Sequence, residues 1–456
     1  MRHALLLSLA LLAARPAAAP VSHAPPVVPH PAWSRHAVIY EVNVRQYTPD
    51  GTLAAFRKHL PRLQALGVDI LWLMPVQPIG RKNRKGSLGS YYSISDYQAI
   101  NPEFGTVADF DAVVSDAHRL GMKVLLDWVP NHTSFDHTWI AAHPDWYVHR
   151  ADGTIVNARD NENHDTDWTD VAELNYDNAA MRRAMVDAMR WWLVARHVDG
   201  FRCDVAGGVP DDFWKDARAA LTKVQPSLFM LAEAEAPAMH ATAFDMTYGW
   251  ELHHLLNDVA QGKRPTGALD AYFARQDSLY GADAYRMYFT SNHDENSWNG
   301  SEFERMGDNH APAFVLSATA VRGMPLLYTG QEASLRKRLR FFDKDTVDWS
   351  GPSLAGFYHA LFALKHGQAA LANGASGGPQ TTLRTDGGDR VYAYTRTRGA
   401  NTVLVALNFG DAPVDAAYRA LPHAGAYTDW FDKRKVTLAA AGSLRIPAHG
   451  YRVLVR

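Results

Sequence analysis

MKVLLDWV (122–129) is the stretch of sequence that best reveals the fold. It is almost continuously apolar over the length of one strand, which is typical of a parallel strand buried on both faces. Comparable runs lie on either side of it, and the run at 243–250 has the weakest strand pattern. These runs are AVIYEVNV (37–44), DILWLMP (69–75), VDGFRCDV (198–205), LFMLAEA (228–234), AFDMTYGW (243–250), YRMYFTSN (285–292) and MPLLYTG (324–330).

Longer segments with helical spacing separate these runs. They are 52–66, 107–120, 179–196, 211–224 and 311–321. Alternation of this kind predicts an α/β fold with a parallel sheet and helices packed against it. About eight such units in a chain of 456 residues favour a (β/α)8 TIM barrel over an open sheet. We assign 33–132 and 179–367 to the barrel.

Two regions interrupt the alternation. Segment 133–178, after the third strand, is polar and rich in Trp, Asp, His and Asn, and we interpret it as a small inserted lobe beside the site. From about 368 onward the strands are short and broken by turn residues, as in RVYAYTRT (390–397) and TVLVALNF (402–409). Segment 368–456 is therefore predicted to be a C-terminal antiparallel β domain, a β-sandwich.

The N-terminus has the pattern of a secretory signal. Arg2 and His3 precede an apolar run at 4–14, and small residues follow. This run is too short to span a bilayer. Because of the pattern as a whole, we interpret 1–24 as a signal peptide with the start of a proline-rich leader and not as a buried helix. We expect a secreted or periplasmic protein with no membrane association after signal removal. Cys203 is the single cysteine, so no intrachain disulfide can form.

The overall charge argues against a polyanionic partner. The net charge is −2, with 47% hydrophobic and 21% charged residues. Nothing in this balance attracts nucleic acid or an anionic membrane surface. A neutral polymer such as a polysaccharide fits it.

Polar residues cluster at the carboxyl ends of the predicted strands, which form one mouth in a TIM barrel. They are Asp127, Asn131, His132, Arg202, Asp204, Glu233, His293 and Asp294. Glycosidic cleavage needs such a set, because one carboxylic acid must protonate the leaving oxygen while a carboxylate attacks or activates water. Arg202 and Asp204 lie two residues apart and should face the same side of a strand, whereas Cys203 should face the helices. Glu235 competes with Glu233 as the acid.

Four motifs carry a resemblance to a known family. In order and spacing they resemble the core motifs of the α-amylase family of glycoside hydrolases, glycoside hydrolase family 13. They are DWVPNH (127–132), GFRCDVA (200–206), LAEAE (231–235) and FTSNHD (289–294). Three further stretches resemble secondary sequence blocks of the family: NPEFGT (101–106), GMPLLYTGQE (323–332) and FFDKDTVDW (341–349).

The resemblance implies a role for each motif residue. Asp204 would be the nucleophile, Glu233 the general acid and base, and Asp294 the residue that binds sugar hydroxyls and distorts the ring. Arg202 would orient Asp204, and Asp127 would support the site. The residues that would contact the sugar are His132, His293 and Tyr92. The implied activity is retaining hydrolysis of α-1,4-glucosidic bonds in starch, glycogen or maltodextrins by a monomer.

The resemblance leaves calcium open. Asn131 matches a position that ligates calcium in many members, and Asp165, Asp167 and Glu173 are candidate further ligands. However, VAELN (171–175) departs from the usual block. VAGGVP (205–210) also lacks the Lys-His pair of many members, which puts the subsites beyond the cleaved bond in doubt.

Other functions share these residues. A cyclomaltodextrinase, an α-glucosidase or a glucan transglycosylase would use the same chemistry on a different acceptor or chain length. A non-catalytic carbohydrate-binding barrel is disfavoured because all three carboxylates are present. Trp139, Trp146 and Trp168 in the lobe either line a sugar groove or pack locally.

Overall fold

The computed structural model describes residues 27–162 and 164–456, so the predicted signal peptide lies outside it. Eight parallel strands close into a barrel in sequence order, which confirms the (β/α)8 prediction, including the weak strand at 243–250. The strands are β1 (Ile39–Val42), β2 (Ile70–Leu73), β3 (Lys123–Trp128), β4 (Gly200–Cys203), β5 (Phe229–Ala232), β6 (Met246–Tyr248), β7 (Tyr285–Tyr288) and β8 (Gly323–Tyr328).

Helices surround the barrel, and one predicted helix is divided. Segment 52–66 forms Leu53–Arg57 and Leu60–Leu66, because Pro61 has no N–H to donate and begins a new first turn. None of the helices within the described ranges is long and apolar enough to cross a membrane. The other barrel helices are Val44–Tyr47, Val107–Arg119, Ala179–Ala195, Asp211–Thr222, Ala238–Thr242, Trp250–Ala260, Ala268–Leu279, Glu302–Met306, His310–Thr319 and Ala355–Gly367.

The strands separate an inner core from an outer one. Trp72, Leu125 and Phe229 belong to the cluster inside the barrel, whereas Val42 and Cys203 belong to the cluster that includes the helices. This alternation follows from the two-residue period of a strand, and it confirms the outward orientation of Cys203. Each large apolar side chain buried in this way stabilises the fold by about 1.5–3 kcal/mol.

The segment after β3 forms the expected lobe. His132–Ser134 pairs antiparallel with Val171–Glu173, and a short helix, Thr138–Ala142, lies between them. The ring of Trp139 lies 5.0 Å from that of Trp146 and 5.0 Å from that of Tyr97. These two tryptophans therefore pack against each other, and Trp139 packs the lobe onto the barrel through Tyr97.

The C-terminal region is antiparallel, as predicted. Its six-stranded sheet contacts helix His310–Thr319 on one face, where Arg396 Nη1 donates to the Thr319 carbonyl at 2.7 Å. On the opposite face, a core containing Leu404 and Leu444 joins it to a two-stranded sheet. The six strands are Gln380–Thr382, Val391–Arg398, Asn401–Asn408, Gly450–Val455, Gly425–Asp429 and Lys435–Leu438; the two are Val414–Tyr418 and Gly442–Ile446.

Candidate active site

A cavity of about 710 Å³ opens at the carboxyl ends of the barrel strands. The parallel barrel brings the ends of β2 to β7 to this one mouth, so motifs far apart in sequence meet there. The predicted residues that line the cavity are Tyr92, His132, Asp204, Glu233, His293 and Asp294. The predicted residues Asp127 and Arg202 are fully buried beneath it.

Arg202 connects the carboxyls of the site. Its Nη1 lies 2.9 Å from Asp127 Oδ1 and 2.9 Å from Asp204 Oδ1, and its Nη2 lies 2.8 Å from Glu233 Oε1. Burial opposes the charge of this guanidinium, but Asp127 and Glu233 hold the pKa of Arg202 well above its ordinary value. One permanent cation therefore orients both residues predicted to act on the substrate.

The loop after β4 fixes the second oxygen of Glu233. The Val205 N–H donates to Glu233 Oε2 at 2.9 Å. Val205 has φ 44°, in the left-handed region that a β-branched residue rarely adopts. Such strain is retained where the surrounding structure imposes it, commonly at functional sites.

Glu235, the competing acid, lies outside the cavity. Its carboxylate pairs with Arg286 and accepts the Glu251 N–H at 3.0 Å. The extended strand ends at Ala232, so the two-residue alternation that would align Glu235 with Glu233 does not continue. The geometry favours Glu233 as the acid.

The paired carboxyls have raised pKa values. Burial raises the pKa of Asp204 well above its usual range, with a further increase from Glu233 and opposition from Arg202. Burial also raises the pKa of Glu233, again against Arg202. Two buried carboxyls that share one guanidinium resist double ionisation, so the pair retains one proton at pH values at which exposed carboxyls have lost theirs.

The two histidines have opposite electrostatic environments. Burial lowers the pKa of His132 to about 3, so this ring is neutral. Burial also disfavours a charge on His293, but Asp294 and Glu41 outweigh it and raise the pKa of His293 to about 9. The Tyr92 ring stacks beside His293 at 5.4 Å, and its hydroxyl lies 2.8 Å from His293 Nε2.

Asp127 supports the site without facing the cavity. Its Oδ2 accepts hydrogen bonds from Trp72 Nε1 at 3.0 Å and from the Tyr92 hydroxyl at 3.1 Å. Asp127 therefore positions Tyr92 and Arg202, the supporting role that the motif implied.

Aromatic side chains that the sequence did not single out form one rim of the cavity. Trp298 is 51% exposed, and its ring lies 5.2 Å from Phe341 and 5.8 Å from Phe342. Among the lobe tryptophans, Trp168 also lines the cavity, 5.9 Å from His132. Exposed rings on a cavity rim offer flat apolar faces to a ligand.

Two of the candidate metal residues, Asn131 and Glu173, lie beside Arg159 where the lobe meets the barrel, whereas Asp167 lines the cavity. The Asn131 side-chain amide contacts the Arg159 carbonyl oxygen at 2.9 Å, and Leu174, next to Glu173, donates its N–H to the Asn131 carbonyl. Glu173 Oε1 lies 3.7 Å from Arg159 Nη1, whereas its Oε2 is buried with no hydrogen-bond partner in the described structure.

These three residues offer donors of the kind that a hard cation binds. The Asn131 amide oxygen (after a half-turn of the amide), the Arg159 carbonyl and Glu173 Oε2 are the oxygen donors that calcium prefers. A cation would also satisfy the orphaned carboxylate oxygen. Asp165, in contrast, has a side chain 84% exposed and pairs with Arg159 at 3.3 Å.

The space beside segment 205–210, which lacks the Lys-His pair, is occupied by a residue of the lobe. Gly207 donates its N–H to Asn161 Oδ1 at 2.8 Å, and a Cβ at Gly207 would lie 2.8 Å from that same oxygen. The glycine therefore admits Asn161 to the wall of the cavity next to Asp204. Bulky side chains such as the Lys-His pair at Gly207 and its neighbour would displace this part of the lobe.

A closed parallel barrel whose mouth holds Asp204, Glu233 and Asp294 beside a buried arginine has the architecture of a glycosidase. The family model for the alpha amylase catalytic domain matches residues 36–350, and that for the alpha amylase C-terminal all-beta domain matches residues 383–451. The chain belongs to the alpha-amylase family, glycoside hydrolase family 13.

Several known proteins are similar to this chain. An alpha-amylase of Haloarcula japonica is 32% identical over 84% of this chain and 57% of its own length. A maltosyltransferase of Streptomyces coelicolor that uses α-1,4-glucan and maltose 1-phosphate is 26% identical over 85% of this chain and 59% of its own length. This chain thus spans less than two thirds of either relative.

Solved structures match over almost their whole length. An alpha-amylase from Lactobacillus plantarum has a TM-score of 0.81 and 31% identity, covering 93% of this chain and 99% of that one. A noncanonic maltogenic alpha-amylase from Thermotoga neapolitana has a TM-score of 0.82 and 28% identity, covering 92% and 98%.

Proposed function

We propose that this protein is a retaining glycosidase that cleaves α-1,4-glucosidic bonds in starch, glycogen or maltodextrins. The observation that carries the proposal is the shared contact of Asp204 and Glu233 with Arg202 inside one cavity. Retaining enzymes hold their two carboxyls about 5–5.5 Å apart, and inverting enzymes separate them by a water molecule. Two carboxyls that bind one guanidinium suit the closer arrangement.

The reaction follows from the two carboxyls. Asp204 attacks the anomeric carbon, and the bond from that carbon to the leaving oxygen breaks as Glu233 donates its proton to the oxygen. Water then attacks the glycosyl–enzyme ester, Glu233 takes a proton from the water, and Asp204 leaves as a carboxylate. Asp294 and His293, on the cavity wall, bind hydroxyls of the reacting sugar.

The rim aromatics support a glucan as the substrate. Sugar rings present apolar C–H faces, which Trp298 and Phe341 can cover at the cavity edge. Neutral hydroxyls need many donors and acceptors rather than a strong net charge, and the chain carries a net charge of only −2.

A transglycosylase is the second candidate. It shares the ester at Asp204 and differs only in whether water or a sugar hydroxyl attacks it. One observation favours this candidate. Asn161 of the lobe contacts Gly207 and so forms the cavity wall next to the nucleophile, where an acceptor sugar would bind. The named activity of the Streptomyces relative is a transfer of this kind.

Calcium is part of the proposal as a structural ion. Asn131, the Arg159 carbonyl and Glu173 would hold it where the lobe meets the barrel. The ion would supply positive charge that ties the lobe to the strand carrying His132, and it has no part in the chemical steps. We also propose export, on the strength of the signal pattern at 1–24.

The stereochemistry of the first product tests the mechanism. Proton NMR during cleavage of a maltooligosaccharide should show the α-anomer first, before mutarotation. Asp204→Asn should abolish turnover on starch while leaving the circular dichroism spectrum unchanged. A β-anomer as the first product, or undiminished starch cleavage by Asp204→Asn, would reject the proposal.

The lengths of the products show whether water or a sugar hydroxyl is the acceptor. A time course on soluble starch, cyclodextrin and maltose should give oligosaccharides shorter than the substrate for a hydrolase. Products longer than the substrate would instead establish the transglycosylase.

A further inference from the structure

We propose that Glu41 is a positioning residue that keeps His293 protonated, so that Nε2–H donates a hydrogen bond to the Tyr92 hydroxyl beside the sugar subsite. Glu41 lies on β1, outside the motifs that carry the resemblance, and it is fully buried. Its Oε1 is 2.5 Å from His293 Nδ1. The inference rests on the proposed glycosidase function for its catalytic meaning and on the geometry alone for the pairing.

The surroundings of Glu41 explain why it pairs so closely. Its Oε2 is buried and has no hydrogen-bond partner in the described part of the chain. A buried carboxyl with one unsatisfied oxygen is costly unless an opposite charge compensates for it. An imidazolium at His293 is the nearest group that can do so.

The far side of the ring faces the cavity. His293 Nε2 lies 2.8 Å from the Tyr92 hydroxyl and 3.4 Å from Asp294 Oδ2. A carboxylate beside Nδ1 holds one proton there and stabilises the positive charge that the ring acquires when a second proton binds Nε2. Because the Tyr92 hydroxyl donates to Asp127 Oδ2, it accepts from the protonated Nε2, and the ring then places a positive charge on the cavity wall.

The net balance of nearby charges favours the imidazolium. Burial and Arg202 disfavour it, and Asp294 together with Glu41 outweighs them, which is why the pKa of His293 reaches about 9. The titratable or charged groups near the ring are Glu41 on β1, Tyr92 after β2, Asp127 on β3, Arg202 on β4, Glu233 after β5, Asp294 after β7 and Tyr328 on β8.

The substitution Glu41→Gln removes the negative charge of the side chain and keeps its size and shape. Glutamine keeps an oxygen that accepts from Nδ1–H but removes the negative charge. We expect the titration midpoint of the His293 imidazole to fall by at least one pH unit from about 9. The ¹⁵N NMR signals of histidine-labelled protein measure it, with His293→Asn assigning the resonance. The alkaline limb of kcat on maltooligosaccharide should move down by a similar amount, with little change in KM.

Glu332→Gln is the matched control. Glu332 is another buried glutamate with an unpartnered oxygen, and it accepts from the Tyr40 hydroxyl at 2.7 Å, away from the cavity. Its loss should lower stability but move neither the His293 titration nor the alkaline limb. An unchanged midpoint in Glu41→Gln, or an equal shift in Glu332→Gln, would overturn the inference.

The spectrum of the unsubstituted protein gives an independent result if Glu41→Gln does not fold. His293 should appear doubly protonated at pH 7.5, and a neutral ring there would overturn the inference. No substrate is needed for this measurement. A doubly protonated ring in a protein that cleaves no glucan would reject the proposed function and leave the pairing intact.

Discussion

Trp298 and Phe341 lie side by side on the rim of the cavity, with ring centroids 5.2 Å apart and planes tilted by 39°. Trp298 keeps half of its surface exposed although it is among the largest apolar side chains. An exposed apolar surface at the edge of a polar cavity marks a binding surface more often than a packing error.

Replacing Trp298 with alanine should weaken binding of long glucans. We expect KM on maltoheptaose to rise roughly tenfold with little change in kcat, a loss of about 1.4 kcal/mol of binding. Trp191→Ala is the control, because Trp191 packs on the outer helix layer away from the cavity. Equal KM changes in both variants would show that Trp298 has no particular contact with the substrate.

Arg202→Lys tests the bridging of the carboxyls. Lysine keeps the charge but cannot direct separate nitrogens at Asp204 and Glu233. We expect kcat to fall at least a hundredfold, or about 2.7 kcal/mol in the barrier. Arg286→Lys, which changes a buried arginine paired with Glu235, should lose stability yet retain most of its kcat. Retention of kcat by Arg202→Lys would contradict the bridging role.

Calcium should stabilise the protein through Glu173. Thermal unfolding with excess calcium should occur several degrees higher than with a chelator, since a ligand at a hundred times its Kd adds about 2.7 kcal/mol. Glu173→Gln should remove this difference, whereas Asp165→Asn should keep it, because the Asp165 side chain is 84% exposed. A wild-type unfolding temperature that does not respond to calcium would remove the ion from the proposal.

His137 should make the protein sensitive to acid. Burial lowers the pKa of His137 to about 3, and its Nδ1 accepts the Trp139 N–H at 3.0 Å. The unfolded state, with a pKa near 6.5, binds more protons between these values. The contribution is therefore complete above about pH 6.5 and is lost as the pH falls toward 3, by at most about 1.36 kcal/mol per pH unit.

His137→Asn separates titration from capping. Asparagine can still accept a backbone N–H at the start of helix Thr138–Ala142. Urea unfolding between pH 4 and 7 should show a pH slope smaller by about one proton than that of the wild type. An unchanged slope would mean that His137 does not carry the acid sensitivity.

The barrel could be predicted because its strands are buried on both faces, which leaves continuous apolar runs such as 122–129. The site could be predicted because strand ends in a parallel barrel must meet. The choice between Glu233 and Glu235, however, depends on where Arg286 lies, 51 residues further along. No local pattern contains that information.

Glu41 and Trp298 were missed for related reasons. Glu41 is one polar residue in an apolar strand, and its meaning comes from His293, 252 residues away. Trp298 lies in the short π-helical turn Glu295–Asn299, within a polar segment that has no periodic pattern. The signal peptide, the monomeric state and the domain boundaries stay predictions.

Cys203 has a practical consequence. Its thiol faces the helix layer, is fully buried and has a pKa raised well above its ordinary value by that burial. Since the sequence contains no second cysteine, one engineered at an exposed position such as Val194 would be the sole reagent-accessible thiol. A fluorophore or spin label could thus be attached at a chosen point without first removing any native residue.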